Sequence, residues 1–303
     1  MSTPFTIITP QSVDDSNFVS STLTEDDYPE YNAATTYSAG ERVIITTGVH
    51  RIFESVADGN LGNAPQTTLG VHWLYVGPTN RWAAFDQAGG TLAAGTSPVE
   101  FVVTGDMITS IALLELVAAS VRVRAYNAVE GTYYDKTYPL MDNSIVSNWY
   151  DYFFVPIRRQ KQLVITDIPP ISNSIYTITL NGDAEISLGT FVFGDRIELG
   201  FTHYGAKASI VDYSRKDVDE FGNATLLKRK YSRRMDVDVR CDNGIVDAVG
   251  DTLADLRSTL VLWVAAKNQF ELLTIYGYYR DFVIDIEYAT YSKATLQIEG
   301  MSS

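Results

Sequence analysis

Between Arg234 and Cys241 the chain alternates without interruption. Met235, Val237, Val239 and Cys241 are apolar, and Arg234, Asp236, Asp238 and Arg240 between them are charged. Side chains of a strand point to opposite faces in turn, so this run fits one half-buried β-strand; a helix would scatter its four apolar residues round the axis. The same period of two recurs at Phe282, Ile284, Ile286 and Tyr288, and again at Ala294, Leu296 and Ile298. The pattern makes Cys241 a small buried hydrophobe and not a nucleophile. As the only cysteine, it has no partner for an intramolecular disulfide. The 19 tyrosines and 13 phenylalanines favour strands and interfaces, which extends the β reading to the whole chain.

A length of 303 residues suits two or three domains. Residues 1–30 are polar, end in the acidic run Thr24-Glu25-Asp26-Asp27-Tyr28-Pro29-Glu30, and show little periodicity. They read as an arm, flexible or docked on a neighbour. Residues 31–77 read as a small β domain. The runs Glu41–Thr46 and Arg51–Val56 flank the hairpin signal Thr47-Gly48-Val49, a Gly/Asn loop covers Asp58–Pro65, and Trp73 and Phe53 supply most of the small core. Residues 80–193 carry short apolar runs at Val99–Thr104, Ser110–Leu116, Val121–Tyr126, Leu163–Thr166, Ile175–Leu180 and Ile186–Phe193. Turn signals at Gly89-Gly90, Gly95-Thr96-Ser97-Pro98 and Asn181-Gly182-Asp183 separate them, which points to a β-sandwich. The aromatic insertion Trp149-Tyr150-Asp151-Tyr152-Phe153-Phe154 reads first as a lid or plug of that sandwich and second as a ligand platform.

Residues 194–303 read as an α+β domain with one helix, over Ile245–Ser258, capped by Asp242-Asn243. Ile245, Val249, Leu253 and Leu256 form its apolar stripe. Asp247, Asp251 and Asp255 fall four apart on the far face, where each like-charged pair costs about 0.2–0.5 kcal/mol. That row is either a solvated face or a contact for basic residues of a neighbouring subunit. The matching basic cluster is Lys228-Arg229-Lys230-Tyr231-Ser232-Arg233-Arg234. It reads as a charged edge strand or as one side of an electrostatic subunit contact, with the contact slightly preferred.

Twenty-three Lys and Arg against 37 Asp and Glu give a formal charge of −14. That argues against a nucleic-acid-coating protein and against attachment to anionic membranes. No run approaches 18 apolar residues, and the first residues lack a basic stretch followed by an apolar one, so the chain is expected to be made in the cytoplasm without membrane insertion. No catalytic constellation emerges. His50, His72 and His203 are scattered, there is no Gly-x-Ser-x-Gly, Gly-x-x-x-x-Gly-Lys or Cys-x-x-Cys, and Asp217-x-Asp219-x-Phe221-Gly222 puts an apolar residue where a calcium loop needs a ligand. The expectation is a protein that is not an enzyme and holds no cofactor and no metal.

Tyr31, Tyr37, Gly40, Val43, Gly48, Phe53, Asn60, Pro65 and Trp73 follow the spacing of short chitin-type carbohydrate-binding modules, and residues 31–73 resemble that family. Tyr31 stands where those modules usually carry Trp. The resemblance implies carbohydrate-binding candidates at Tyr31, Tyr37, Phe53 and Trp73. The stretches Gly77–Asp86, Trp149–Phe154, Tyr204-Gly205-Ala206, Asp212–Lys216 with Asp219–Gly222, Val283–Ile286 and Gln297–Gly300 resemble a family of virion proteins of tailed bacteriophages and prophages. That resemblance implies a galactose-binding-like sandwich in the middle and a tail-associated α+β domain at the end. It further implies a structural role in the tail or its tip (baseplate, adaptor or collar), in a homo-oligomeric ring with other tail proteins. Candidate subunit contacts are then Asp247, Asp251, Asp255, Lys228, Arg229, Lys230, Arg233 and Arg234. The alternative is recognition of a host-surface glycan.

Overall fold

The thirteen-residue strand Thr190–Thr202 changes neighbours half-way along, and the architecture follows from that change. Its first half pairs with Ser110–Leu114, Phe193 opposite Ile111 and Phe191 opposite Leu113; its second half pairs with Pro4–Pro10. The computed structural model describes the chain apart from residues 1–2, 87, 143–147, 155–157, 184, 219, 268–269, 287 and 302–303. It is mainly β, 53% strand and 8% helical, so its backbone hydrogen bonds run chiefly between segments far apart in sequence.

The second half of that strand belongs to a closed barrel of six strands. Round the barrel come residues 194–202, Pro4–Pro10, Val261–Val264, Thr274–Asp285, Tyr291–Gly300 and Tyr231–Asp242. Phe201 and Thr202 then pair with Arg240 and Val239 and complete the circuit. The alternation read from the sequence decides what goes inside. Met235, Val237, Val239 and Cys241 from one strand and Ala294, Leu296 and Ile298 from the next are buried with Phe5, Ile7, Leu199, Trp263 and Ile275. Each large apolar side chain so buried contributes about 1.5–3 kcal/mol relative to exposure. Closure brings backbones very close at Gly200, where φ is +143° and a Cβ would lie 2.2 Å from the Arg240 carbonyl oxygen. Only glycine fits there. The apolar alternation expected to run on through Ile286 and Tyr288 stops earlier. The strand bulges between Tyr279 and Asp281 and ends at Asp285, leaving Ile286 and Tyr288 exposed.

Pro4–Pro10 corrects the expected arm. It lies between two other strands of the barrel, with Phe5, Ile7 and Ile8 fully buried. Three apolar residues in a seven-residue strand are diluted when composition is averaged over thirty positions. The rest of the segment continues as a seam: Phe18–Ser21 pairs with the edge of the sandwich, and Glu30 bridges to Ile44 of the small β unit.

The sandwich expected over residues 80–193 is present. One sheet has the order Gly131–Pro139, Ser120–Asn127, Ser174–Asn181, Val99–Gly105, Phe18–Ser21. The other is made by Gln162–Ile165, Ser110–Leu114 and the first half of Thr190–Thr202. A single core joins them, with Phe101, Val103, Val123, Tyr176 and Ile178 against Ile111, Leu113, Leu163, Phe191 and Phe193. On the reverse face of the shared sheet Ala112, Leu114, Val164 and Val192 of the sandwich bury themselves with Ile8, Leu262 and Val264 of the barrel. A boundary at 193/194 therefore falls inside a continuous strand backed by a common core.

The small unit has a three-stranded sheet of Arg42–Ile45, Arg51–Ser55 and Trp73–Pro78 and a short pair, Thr36–Tyr37 with Asn60–Leu61. Its hairpin turns where the sequence predicts, with Val43 opposite Phe53 and Ile45 opposite Arg51. The unit is fixed to the sandwich. Trp73–Pro78 leads into the 3₁₀ turn Asn80–Phe85, whose Trp82, Ala83 and Ala84 enter the sandwich core. His50 packs 4.6 Å from the Trp82 ring, with Nδ1 2.6 Å from Glu25 Oε1 and Nε2 3.1 Å from Asp15 Oδ1.

The helix spans Val246–Asp255, shorter at both ends than the Ile245–Ser258 expected. Val249 and Leu253 enter the barrel core, and the Tyr279 hydroxyl donates to the Leu253 carbonyl oxygen at 2.7 Å. Ile245 occupies the N-cap without a side-chain cap, because the Asp242 carboxylate instead accepts the Gly244 N–H at 3.1 Å in the preceding turn.

Candidate functional site

The four aromatic residues with carbohydrate-module spacing do not form a surface. Tyr37, Phe53 and Trp73 are buried together with Val43, and Trp73 is 0% exposed. Tyr31 closes over them, 5.8 Å from Tyr37 and 5.9 Å from Trp73, and the Trp73 Nε1–H donates to the Asn63 carbonyl oxygen at 2.8 Å. The spacing is that of a core: Tyr37, Phe53 and Trp73 have no open face for a sugar ring, and half-buried Tyr31 packs against them. The reading of Tyr37, Phe53 and Trp73 as binding residues is corrected to a packing role, while Tyr31 stays half-exposed at the edge of their cluster.

The aromatic insertion is corrected in the opposite sense. Trp149–Phe154 is a one-and-a-half-turn helix, and Trp149, Tyr150, Phe153 and Phe154 are 68–79% exposed. Trp149 stacks on Phe153 and Tyr150 lies 4.8 Å from Phe154. None of the four belongs to the sandwich core, so the segment is neither lid nor plug.

The basic cluster sits at the foot of a projecting hairpin. Lys207–Asp212 pairs with the outer side of Tyr231–Asp242, Lys207 opposite Asp236 and Asp212 opposite Tyr231. Beyond it Arg215–Val218 pairs only with Ala224–Leu227, and all eight of those residues are exposed. At the turn Phe221 is 89% exposed, and Val218 and Leu226 are exposed along the strands. Among the described residues from Lys207 to Tyr231 none belongs to any of the four cores.

The candidate contact residues divide into two groups. Some are engaged within the chain: Lys230 Nζ donates to the Gly89 carbonyl oxygen at 3.1 Å, and Arg234 Nη2 donates to Gln297 Oε1 at 2.7 Å. Arg233 is half-buried in the groove between sandwich and barrel beside Glu271, Tyr276 and Met301. Lys228 and Arg229 are exposed. So are Asp247, Asp251 and Asp255 along the outer face of the helix, and among the described residues none of these five side chains makes an ion pair.

Charges on the barrel wall behave otherwise. Burial alone would raise the Asp238 carboxyl, but hydrogen bonds from Lys293 Nζ (3.0 Å) and Thr295 Oγ1 (2.8 Å) outweigh it and hold its pKa below the usual carboxylate value. The Cys241 thiol, buried and donating to the Leu199 carbonyl oxygen at 3.1 Å, is pushed up to about 11 by that burial, so it is no thiolate at neutral pH. Among the described residues no three His, Cys, Asp or Glu side chains gather where a metal ion could be held.

One feature escaped sequence reading altogether. Phe201, His203 and Tyr204, leaving the long strand, meet Arg240, Asp242, Thr290 and Tyr291 round a cleft of about 440 Å³ at the barrel rim. The Arg240 guanidinium lies 4.4 Å over the Tyr291 ring. Its residues come from three distant segments, so no local motif announces it.

Compared with known proteins, the chain matches no family model, no curated protein and no solved structure.

Proposed function

We propose that the chain is a structural subunit of a tailed-bacteriophage virion, placed at the tail or its tip in a baseplate, adaptor or collar. It would be made in the host cytoplasm and work by scaffolding and protein–protein contact, without catalysis and without a cofactor. The observation that carries the reading is apolar surface held outside every core. Four large aromatic side chains stand on the Trp149–Phe154 helix, and Phe221, Val218 and Leu226 stand on the hairpin. Exposed aromatic anchors of this kind are the usual centres of protein interfaces. The likeness of Trp149–Phe154 and of Asp212–Lys216 with Asp219–Gly222 to virion proteins falls on these same projecting segments, which supports the reading. Phage particles in which this chain carries a C-terminal label should show the label at the tail by electron microscopy. Purified particles without any label would overturn the proposal.

A second reading, recognition of a host-surface glycan, is favoured by one observation, the rim cleft. Phe201 and Tyr204 supply ring faces there, and Arg240 and Asp242 supply hydrogen-bonding groups. On that reading Arg240→Ala abolishes glycan-array binding by the full chain while Tyr31→Ala leaves it unchanged. Equal binding by all three proteins would remove it.

A further inference from the structure

We infer that the hairpin at residues 213–230 docks on the acidic helix face of a second copy of this chain, so that the protein associates with itself head to tail. The inference rests on the assembly reading above and adds to it the partner and the surface.

The first ground is that the hairpin is incomplete in water. A two-stranded ribbon without a covering layer is marginal by itself, and here both strands are exposed on both faces and Phe221 at the turn is largely exposed. Its foot is anchored by the ladder from Lys207 to Asp212, so the ribbon is held out at a defined place on the barrel.

The second ground is charge. From residue 213 to 230 the chain has five Lys and Arg against three Asp and Glu, although the whole chain is at −14. A basic projection on a strongly acidic body is complementary to the body of another copy. Lys216, Lys228 and Arg229 on the projection make no ion pair among the described residues, nor do Asp247, Asp251 and Asp255. Three aspartates spaced one turn apart repel one another, a cost that cations from outside would remove. The Phe221 ring has apolar surface within reach on the same helix, because Ile245 at its start is exposed.

The third ground is topology. Hairpin and helix leave the strand Tyr231–Asp242 from its two ends, the hairpin entering at Tyr231 and the helix following Asp242. Twelve residues of strand extend about 36 Å. The two surfaces are therefore different patches of one molecule, and their union is heterologous. Such a contact repeats from copy to copy and gives a ring where the rotation closes.

Sedimentation of the purified full chain tests this. Wild type should self-associate at about 50 mM salt and dissociate at about 500 mM, where charges on a surface are screened within a few ångströms. The triple variant Lys216→Glu, Lys228→Glu, Arg229→Glu and the triple variant Asp247→Lys, Asp251→Lys, Asp255→Lys should each weaken association at least tenfold. Mixed one to one, the two should associate again, because each supplies the surface that complements the other. Phe221→Ser should weaken association with no change of charge. None of these side chains lies in a core, so the melting temperature should stay at the wild-type value and separates lost contact from lost fold. A wild type that remains monomeric up to about 100 μM, association indifferent to all three variants, or a mixture that does not reassemble would each overturn the inference. Labelled tails together with a monomeric chain would leave the virion reading standing and remove only self-docking.

Discussion

Trp73 shows how a binding motif and a packing motif share one pattern. An aromatic residue at the end of a strand, over a tyrosine and across from a phenylalanine, stacks on a sugar if the ring faces water and on its neighbours if it does not. Here it is fully buried, with its indole N–H satisfied by the Asn63 carbonyl. Trp73→Ala should therefore cost about 3–5 kcal/mol, read as a lower denaturation midpoint of the small β unit, with or without sugar present. Sequence spacing alone reported that these four aromatics belong together; their burial was illegible because a strand pattern does not say which face is covered.

Asp238 gives a pH-dependent prediction. Its folded pKa lies below the ordinary carboxylate value, so the unfolded chain binds its proton more readily. The stability it contributes is fully present above the unfolded value near 3.8 and is lost as pH falls through the lower folded value. Asp238→Asn should lower the thermal midpoint at pH 7 by a small amount and flatten its decline in that acidic window. A variant whose acid profile matches wild type would show that the Lys293 and Thr295 contacts carry no linkage. The alternation of Met235–Cys241 places Asp238 on the outer wall, because a charged residue between two buried valines has nowhere else to go.

At the scale of elements, the helix was legible from Val249 and Leu253, and its ends were not, since the capping aspartate is drawn into the turn before it. Gly250 is the weak point of this ten-residue helix. A Cβ there would meet only the Ile284 Cδ1 atom, at 4.0 Å, an ordinary contact. Gly250→Ala should raise stability by about 0.5–1 kcal/mol, measured as an increased urea midpoint, without altering self-association. The N-terminal strand was the element most completely missed. Its signal is short, flanked by prolines and diluted by the polar residues that follow. The strands of the sandwich were read because each is bounded by a turn that local residues encode. The aromatic helix was misassigned because hydrophobic content predicts burial only where the topology provides a core to enter.

At the scale of the whole molecule, sandwich and barrel share a strand, a sheet and the small core round Ile8 and Val192. Two lobes joined in this way unfold together. Removal of residues 1–10 takes one strand out of six and exposes both Phe5's cavity in the barrel and Ile8's on the reverse face. The truncated chain should lose the single cooperative calorimetric transition expected of the full one and bind a hydrophobic dye. Retention of a wild-type transition would show that the barrel closes without Pro4–Pro10. The mainly β class was readable from composition and period alone. Closure into a barrel was not, because it rests on two residue pairs, Phe201 with Arg240 and Thr202 with Val239, that no local pattern marks.

The placement of Pro4–Pro10 also bears on how the protein is born. Thr6 pairs with Val264 and Ile8 with Leu262, so about 250 residues are synthesised between these two neighbouring strands. One edge of Pro4–Pro10 can pair once residues 194–202 are made, but the other stays open until Val261–Val264 appears, and long-range pairing of this kind is slow to form. A chain broken off before about residue 260 can close no barrel. On the assembly reading proposed above, this makes completeness of the barrel a condition for having the surfaces through which subunits would join, so prematurely terminated chains would exclude themselves.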